Sequence, residues 1–220
     1  MAGAKAKTDR EMSIAANEFI WEKGGETTSN NLVKEPILRL LRRYTPVKLL
    51  DLGCGNGALT TAIHTHGFDV AGCDYSTSGI ALAQRQYSNH NINFFQHDLQ
   101  HPLANAHVNQ YDTVISSEVI EHLLLPRTLM SNAYSALKPG GKFILTTPYH
   151  GYCKNLALAL SGHFDKHWHP LRDYGHIKFF SKSTITQLFE EHCFDVIHFE
   201  TLGRFPAFAR SMLVCGQKRA

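Results

Sequence analysis

The spacing of apolar residues changes period repeatedly along this chain, and the changes mark out alternating helices and strands. Leu32, Val33, Ile37, Leu40, Leu41 and Tyr44 recur at helical spacing, with Pro46 just past the end. They predict a helix laid on one sheet face. Val47, Leu49, Leu50 and Leu52 then form a short apolar run of the kind a buried strand requires, and residues 58–63 open a helix that Gly67 closes. The same alternation continues with a strand over 68–74, a helix over 78–87, a strand over 92–99, a strand over 111–117 and a helix over 126–137. Lys138-Pro139-Gly140-Gly141 predicts a turn, residues 142–148 a fifth strand, and residues 184–192 a helix with Thr184 and Gln187 at capping-box spacing. Strands over 195–201 and 211–217 complete seven. Strands alternating with helices in this way predict an α/β, Rossmann-like, doubly wound sheet with helices on both faces.

Two stretches break the pattern. Residues 11–23 carry Met12, Ile14, Phe19, Ile20 and Trp21 among polar residues before Gly24-Gly25, which predicts a short amphipathic helix serving as surface packing or as a lid. Residues 149–180 are irregular and rich in aromatics and histidine, including His150, His163, His167, His169 and His176.

With 220 residues the chain suits one sizeable core, so a single domain is expected over 1–220. A net charge of +3, spread along the chain, gives no support for a nucleic-acid partner. No apolar run approaches the roughly 20 residues of a membrane span, and the N-terminus lacks the apolar core of a signal peptide. Cys54, Cys73, Cys153, Cys193 and Cys215 form no C-x-x-C pair, and Cys73, Cys193 and Cys215 lie in apolar segments. Reduced cysteines and a cytoplasmic location are the expectation.

The candidate chemistry begins at Asp51-Leu52-Gly53-Cys54-Gly55-Asn56-Gly57, a strand end breaking into three glycines before a helix. Glycines there let a ligand approach the backbone, and the helix N-terminus faces whatever lies above them. With Ala58 the stretch also satisfies the dinucleotide pattern, but a carboxylate at Asp51 suits a ligand with an ammonium group and would repel a pyrophosphate. Asp74, 17 residues after Gly57, ends the second strand, where a carboxylate accepts from ribose hydroxyls. That position fits either cofactor class.

The glycine turn resembles motif I of the class I S-adenosylmethionine (SAM)-dependent methyltransferases, and the resemblance continues through residue 148. It includes Asp98 after the third strand, Glu118-Val119-Ile120-Glu121-His122-Leu123 after the fourth, and Leu137-Lys138-Pro139-Gly140-Gly141 before the fifth. Members of that family carry SAM across the strand C-termini. The resemblance implies that Asp51, Gly53, Cys54, Gly55, Asn56, Gly57, Asp74, Tyr75, Asp98, Leu99, Ser116 and Glu118 bind SAM and its product S-adenosylhomocysteine, with Asp74 on the ribose and Asp98 and Leu99 on the adenine. It also implies N-terminal helices or a lid over 1–45, a SAM-binding core over 46–148, a substrate-recognition insert over 149–180, a C-terminal helix and strands over 181–220, and an antiparallel last strand.

Glu118, Glu121 and His122 stand at i, i+3 and i+4, which in a helical turn places them on one face. Two carboxylates and an imidazole can hold Mg²⁺ or a similar hard cation, and the arrangement resembles the quinone-biosynthesis O-methyltransferases and the small-RNA 2′-O-methyltransferases, in which such residues ligate a metal. The alternative is that Glu118 contacts SAM while Glu121 and His122 shape the pocket, leaving His122 as the candidate general base. Tyr134 and Lys138 spell the Y-x-x-x-K of short-chain dehydrogenases, but Pro139-Gly140-Gly141 follows at once, so the pair lies at a helix end away from the strand C-termini. The function expected is methyl transfer, first to the oxygen of a small hydroxylated acceptor, otherwise to nitrogen, carbon, or a glycan or lipid-linked acceptor. The rival of another class is a non-catalytic SAM-binding partner subunit.

Overall fold

The computed structural model describes residues 19–22, 25, 28–203 and 205–219. In chain order these form α1 (Thr28–Tyr44), β1 (Lys48–Leu52), α2 (Ala58–Thr65), β2 (Asp69–Asp74), α3 (Thr77–Gln86), β3 (Phe94–Gln96), β4 (Tyr111–Ser117), α4 (Pro126–Ala136), β5 (Leu137–Pro148), α5 (Tyr152–Leu160), α6 (Phe164–Trp168), α7 (Lys182–Glu191), β6 (Phe194–Leu202) and β7 (Ser211–Lys218). One seven-stranded sheet runs in the order β3-β2-β1-β4-β5-β7-β6, and β7 alone is antiparallel to its neighbours. The chain winds outward from β1 to β3 and then returns to β4, beside β1. That reversal opens a crevice at the C-terminal ends of the strands, where ligands bind in such sheets.

Alternation along the strands sorts the core onto two faces. Leu49, Val70, Ile115 and Ile144 pack with Val33, Ile37 and Leu41 of α1 and with Leu59 and Ile63 of α2. Leu50, Leu52, Val114, Phe143 and Leu145 pack on the opposite face with Leu129 and Met130 of α4 and Ile185 and Phe189 of α7. Phe143 stacks on Phe189 at 5.4 Å between ring centroids, and Phe194 closes the cluster at 5.7 Å from each. This rigid double-sided core fixes the strand ends that carry the site.

The sheet order and its antiparallel strand match the expectation, and several local details do not. The Lys138–Gly141 stretch is a bulge inside β5, not a turn before it: pairing steps from Tyr111↔Leu137 to Thr113↔Lys142, and Gly140 takes φ +74°. Ser181 is the N-cap of α7 and Thr184 its partner three residues on, so the capping box begins earlier than read. α5 forms in the segment expected to be irregular, and it buries no side chain. Cys193 is exposed, with φ +59°, and is not a core residue. Of the helix expected over 11–23, residues 11–18 and 23 lie outside the described residues, and 19–22 have no regular structure. Among the described residues no helix is long and apolar enough to cross a membrane.

Candidate functional site

The glycine turn is built around positive φ. Gly53, Gly55 and Gly57 have φ of +86°, +54° and +76°, a region that costs an L residue roughly 1–2 kcal/mol. The space a Cβ would take at each is filled by the chain itself: Val119 at Gly53, the Trp21 indole at Gly55, and Ala83 with Phe94 at Gly57. Trp21 is held there because its backbone N–H donates to Ser78 Oγ at 3.0 Å, while Ser76 Oγ donates to the Phe19 carbonyl at 2.8 Å and the Phe19 backbone N–H to Tyr75 Oη at 2.8 Å. Asn56 Nδ2 donates to the Gly25 carbonyl at 3.0 Å, and its Oδ1 accepts from the Ala58 N–H at 3.2 Å. Residues 19–22 and Gly25 thus lie against the turn.

The acids anchor this frame from below. Asp74 Oδ2 accepts from the Gly55 N–H at 2.8 Å and Oδ1 from the Ser76 N–H at 2.9 Å, so the residue expected on a ribose also latches the turn. Asp51 Oδ2 accepts from Thr60 Oγ1 at 2.7 Å, and its buried Oδ1 has no hydrogen-bond partner among the described residues. Burial, and the Asp74 charge after it, push Asp51 up to about 7. Burial likewise pushes the Cys54 thiol up, which makes it a poor nucleophile. An orphaned carboxylate oxygen and a second acid under one turn suit a cationic ligand, and SAM, with its ammonium and sulfonium, fits that requirement. Asp98 Oδ1 caps the next turn through the Gln100 N–H at 2.9 Å, Leu99 is buried in the core, and Ser116 Oγ donates to the Leu52 carbonyl at 2.8 Å, tying β4 to β1.

Beyond β4 the backbone kinks at Glu118, where φ is +55°, and enters a 3₁₀ turn over Ile120–His122. Glu118, Glu121 and His122 therefore do not share an α-helical face. Glu118 Oε1 instead accepts from Ser211 Oγ at 2.6 Å. The group whose ligand atoms all lie within 4.8 Å of one another is Glu121, His122 and His176. His176 replaces Glu118 in the expected ligand set.

Glu121 is 1% exposed; its Oε2 accepts from Thr147 Oγ1 at 2.9 Å, and its Oε1 has no partner among the described residues. His122 Nε2 and His176 Nε2 each lie 4.0 Å from that oxygen. Carbonyl oxygens of Tyr174 and Gly175 sit 2.9 and 3.2 Å from His122 Nδ1; they can only accept, so Nδ1 carries the proton and Nε2 its lone pair. Ile177 and Lys178 N–H groups both donate to the Glu121 carbonyl, at 2.8 and 3.0 Å, and hold the His176 loop against the turn. Burial lowers both imidazoles, His176 to about 4, which keeps them neutral as metal ligands must be. Burial pushes Glu121 well up, and the Glu118 charge adds to this. Two imidazoles and a buried, unpaired carboxylate oxygen fit a divalent cation.

A cavity of about 630 Å³ opens beside Glu118 and is walled by His150, Lys154, His167, Trp168, His176 and Arg210 among others. Its size suits a small molecule. Sequence reasoning missed Lys154, His176 as a partner of Glu121, and Arg210, because nothing local in the chain ties them to β4. Of the other histidines, His150 is buried and pushed down to about 4 by burial, and His163 and His169 flank α6. Tyr134 packs edge-on to Phe194 at 5.7 Å and Lys138 pairs with Asp112 at 2.8 Å, away from this cavity.

Residues 26–199 match the family model described as a methyltransferase domain. The chain is 26% identical over 172 residues to a ubiquinone biosynthesis O-methyltransferase of Coxiella burnetii, covering 76% of this chain and 73% of that protein. A protein of the same name from Rickettsia bellii is 29% identical over 180 residues, covering 77% of this chain and 74% of that one. The fold is similar to that of magnesium protoporphyrin IX methyltransferase from Synechocystis PCC 6803 with bound S-adenosylhomocysteine, with TM-score 0.66 at 18% identity over 84% of this chain and 82% of that chain.

Proposed function

Because this chain belongs to the methyltransferase domain family and is a SAM-dependent methyltransferase, we propose that it methylates a hydroxyl oxygen of a small acceptor seated in the cavity beside Glu118. Glu121, His122 and His176 are the residues that would hold a divalent cation there. The observation that carries this reading is Glu121 Oε1, buried, without a hydrogen-bond partner among the described residues, and 4.0 Å from an imidazole nitrogen of each histidine. Such a group is costly to leave without a partner. Similarity to O-methyltransferases of quinone biosynthesis adds support for oxygen as the acceptor atom.

SAM supplies the transferable methyl group, and when bound a cation supplies Lewis acidity that lowers the pKa of an adjacent hydroxyl. The chain's own contribution is placement. Asp51 and Asp74 put negative charge beneath the turn for the cofactor's cationic groups, and Asp74 fixes the loop that faces them. Thr147 and the two carbonyls at His122 Nδ1 orient Glu121 and His122. Catalysis by in-line displacement depends chiefly on such positioning. The sequence suggested Mg²⁺, but two nitrogen ligands with one carboxylate favour Mn²⁺, Co²⁺ or Zn²⁺ over an oxygen-seeking ion. One observation favours a second reading, in which His122 acts as a metal-free base: its Nε2 carries a lone pair and its side chain is 38% exposed.

Following S-adenosylhomocysteine formation from SAM with catechol acceptors, before and after EDTA, tests the proposal. Turnover should vanish on chelation and return with Mn²⁺ or Co²⁺ more fully than with Mg²⁺. Undiminished turnover in EDTA, lost only in His122→Ala, would replace the cation by the base. Cofactor binding without transfer to any hydroxylated acceptor would contradict the oxygen assignment.

A further inference from the structure

The cavity contains two positive charges, and among its lining residues Glu118 is the one acid that faces them. Lys154 projects from α5, Arg210 immediately precedes β7, and both line the cavity with Glu118. Their fields meet: after burial, Arg210 is what pushes the Lys154 ammonium down, and both cations hold Glu118 below where burial alone would put it. Glu118 is already engaged by Ser211 Oγ at 2.6 Å, and one carboxylate cannot balance two cations. Lys154 Nζ donates to the Tyr149 and Ala209 carbonyls at 2.7 and 3.3 Å, which leaves one of its three N–H groups. The Arg210 guanidinium has no ion pair or hydrogen bond among the described residues.

A neutral donor lies on the same wall. Trp168 Nε1, which can only donate, is buried without a partner. The Lys154 ammonium is held by its two carbonyl acceptors, and Arg210 is anchored at its backbone. The Arg210 backbone is pinned by its N–H to the Leu202 carbonyl at 3.0 Å and by the Tyr149 N–H to its own carbonyl at 3.1 Å. An anion docked in this cavity would accept from these donors and relieve the like-charge repulsion between the two cations.

The cofactor's own carboxylate is poorly placed to serve. The glycine turn follows β1, Arg210 precedes β7, and β4 and β5 lie between them, which at about 4.8 Å per strand separates the two by roughly 14 Å. We propose that the methyl acceptor carries an anionic group, a carboxylate or a phosphoryl, that docks between Lys154 and Arg210 while its hydroxyl faces Glu121 and His176. This rests on the cavity being the acceptor site.

Calorimetric titration of the S-adenosylhomocysteine-loaded protein with 3,4-dihydroxybenzoate, 3,4-dihydroxyphenylphosphonate and the neutral 3,4-dihydroxybenzamide tests it. At least one anion should bind tenfold or more tightly than the amide, and the better of the two identifies the group. Arg210→Gln, at an exposed position, and Lys154→Gln should each weaken the anion about tenfold or more and leave the amide within twofold. Equal binding of all three probes, equal loss for anion and amide in the variants, or no binding of either anion at millimolar concentration would overturn the proposal. Turnover of the same probes with SAM separates it from the reading beneath it. Arg210-dependent binding without methylation keeps the anion site and removes hydroxyl transfer, whereas methylation of the amide as fast as the anions keeps hydroxyl transfer and removes the anion site.

Discussion

Around the glycine turn the polar groups answer one another, and across the sheet, behind β4, they do not. Both Asp74 oxygens accept backbone N–H groups, Asn56 bridges α2 to Gly25, and Ser116 ties β4 to β1, while among the described residues Asp51 Oδ1 and Thr61 Oγ1 are buried without partners. In and beside the cavity, Glu121 Oε1, His150 Nδ1 and Trp168 Nε1 are buried without partners among the described residues, and Lys154 and Arg210 repel. The difference separates a frame largely complete before its ligand arrives from a wall that the proposed cation and anion would finish. Binding and chemistry should therefore fail separately when each half is damaged.

The largest expected effect tests that separation. Glu121→Ala and His176→Ala should each lower methyl transfer by roughly 10²–10⁴ while S-adenosylhomocysteine affinity stays within twofold. Parallel loss of cofactor affinity in calorimetry would mean that the two halves are one unit.

Next is the pH response of the cofactor half. Asp51, raised to about 7, keeps its proton in the folded chain over a range where the unfolded chain has lost it. Its contribution is therefore fully present below about pH 4 and is lost as pH rises through 7, a change of at most roughly 4 kcal/mol. Thermal melts of the cofactor-free protein at pH 5 and pH 8 should show this slope in the wild type and a flatter one in Asp51→Asn. SAM, bringing positive charge to the same place, should reduce the wild-type slope. An unchanged slope in Asp51→Asn would move the origin of the effect elsewhere.

A smaller effect is expected at the turn itself. Gly55→Ala introduces a Cβ that meets Trp21 Cζ2 at 2.5 Å on a backbone with φ +54°. A stability loss of about 1–2 kcal/mol is expected, together with displacement of Trp21 seen as a change in its fluorescence. An unperturbed melt with native Trp21 emission would show that the indole does not sit on Gly55.

The cofactor half was readable because its signals are local. Three strands each end on an acid, and the glycines that follow the first announce their positive φ within seven residues. The cavity is assembled by topology instead. His176 reaches Glu121 only because two N–H groups of its loop bond the Glu121 carbonyl, and Arg210 arrives there because β7 inserts between β5 and β6. α5 escaped notice although Tyr152, Leu156 and Leu160 stand at helical spacing, because that stripe is exposed and the stretch around it is dominated by histidines and aromatics. Glu118, Glu121 and His122 misled in the opposite way, since their spacing is helical while Glu118 has φ +55° and the turn that follows is 3₁₀.

Titration of Mn²⁺ into the protein, followed by the electron paramagnetic resonance signal of the free ion, tests the unfinished wall most directly, because it needs neither acceptor nor turnover. One ion per chain should disappear from solution with wild type and with Arg210→Gln, and the free-ion signal should persist with Glu121→Ala and with His176→Ala. Uptake that is absent in the wild type, or equal in all four proteins, would contradict the assignment of Glu121, His122 and His176 as the cation site.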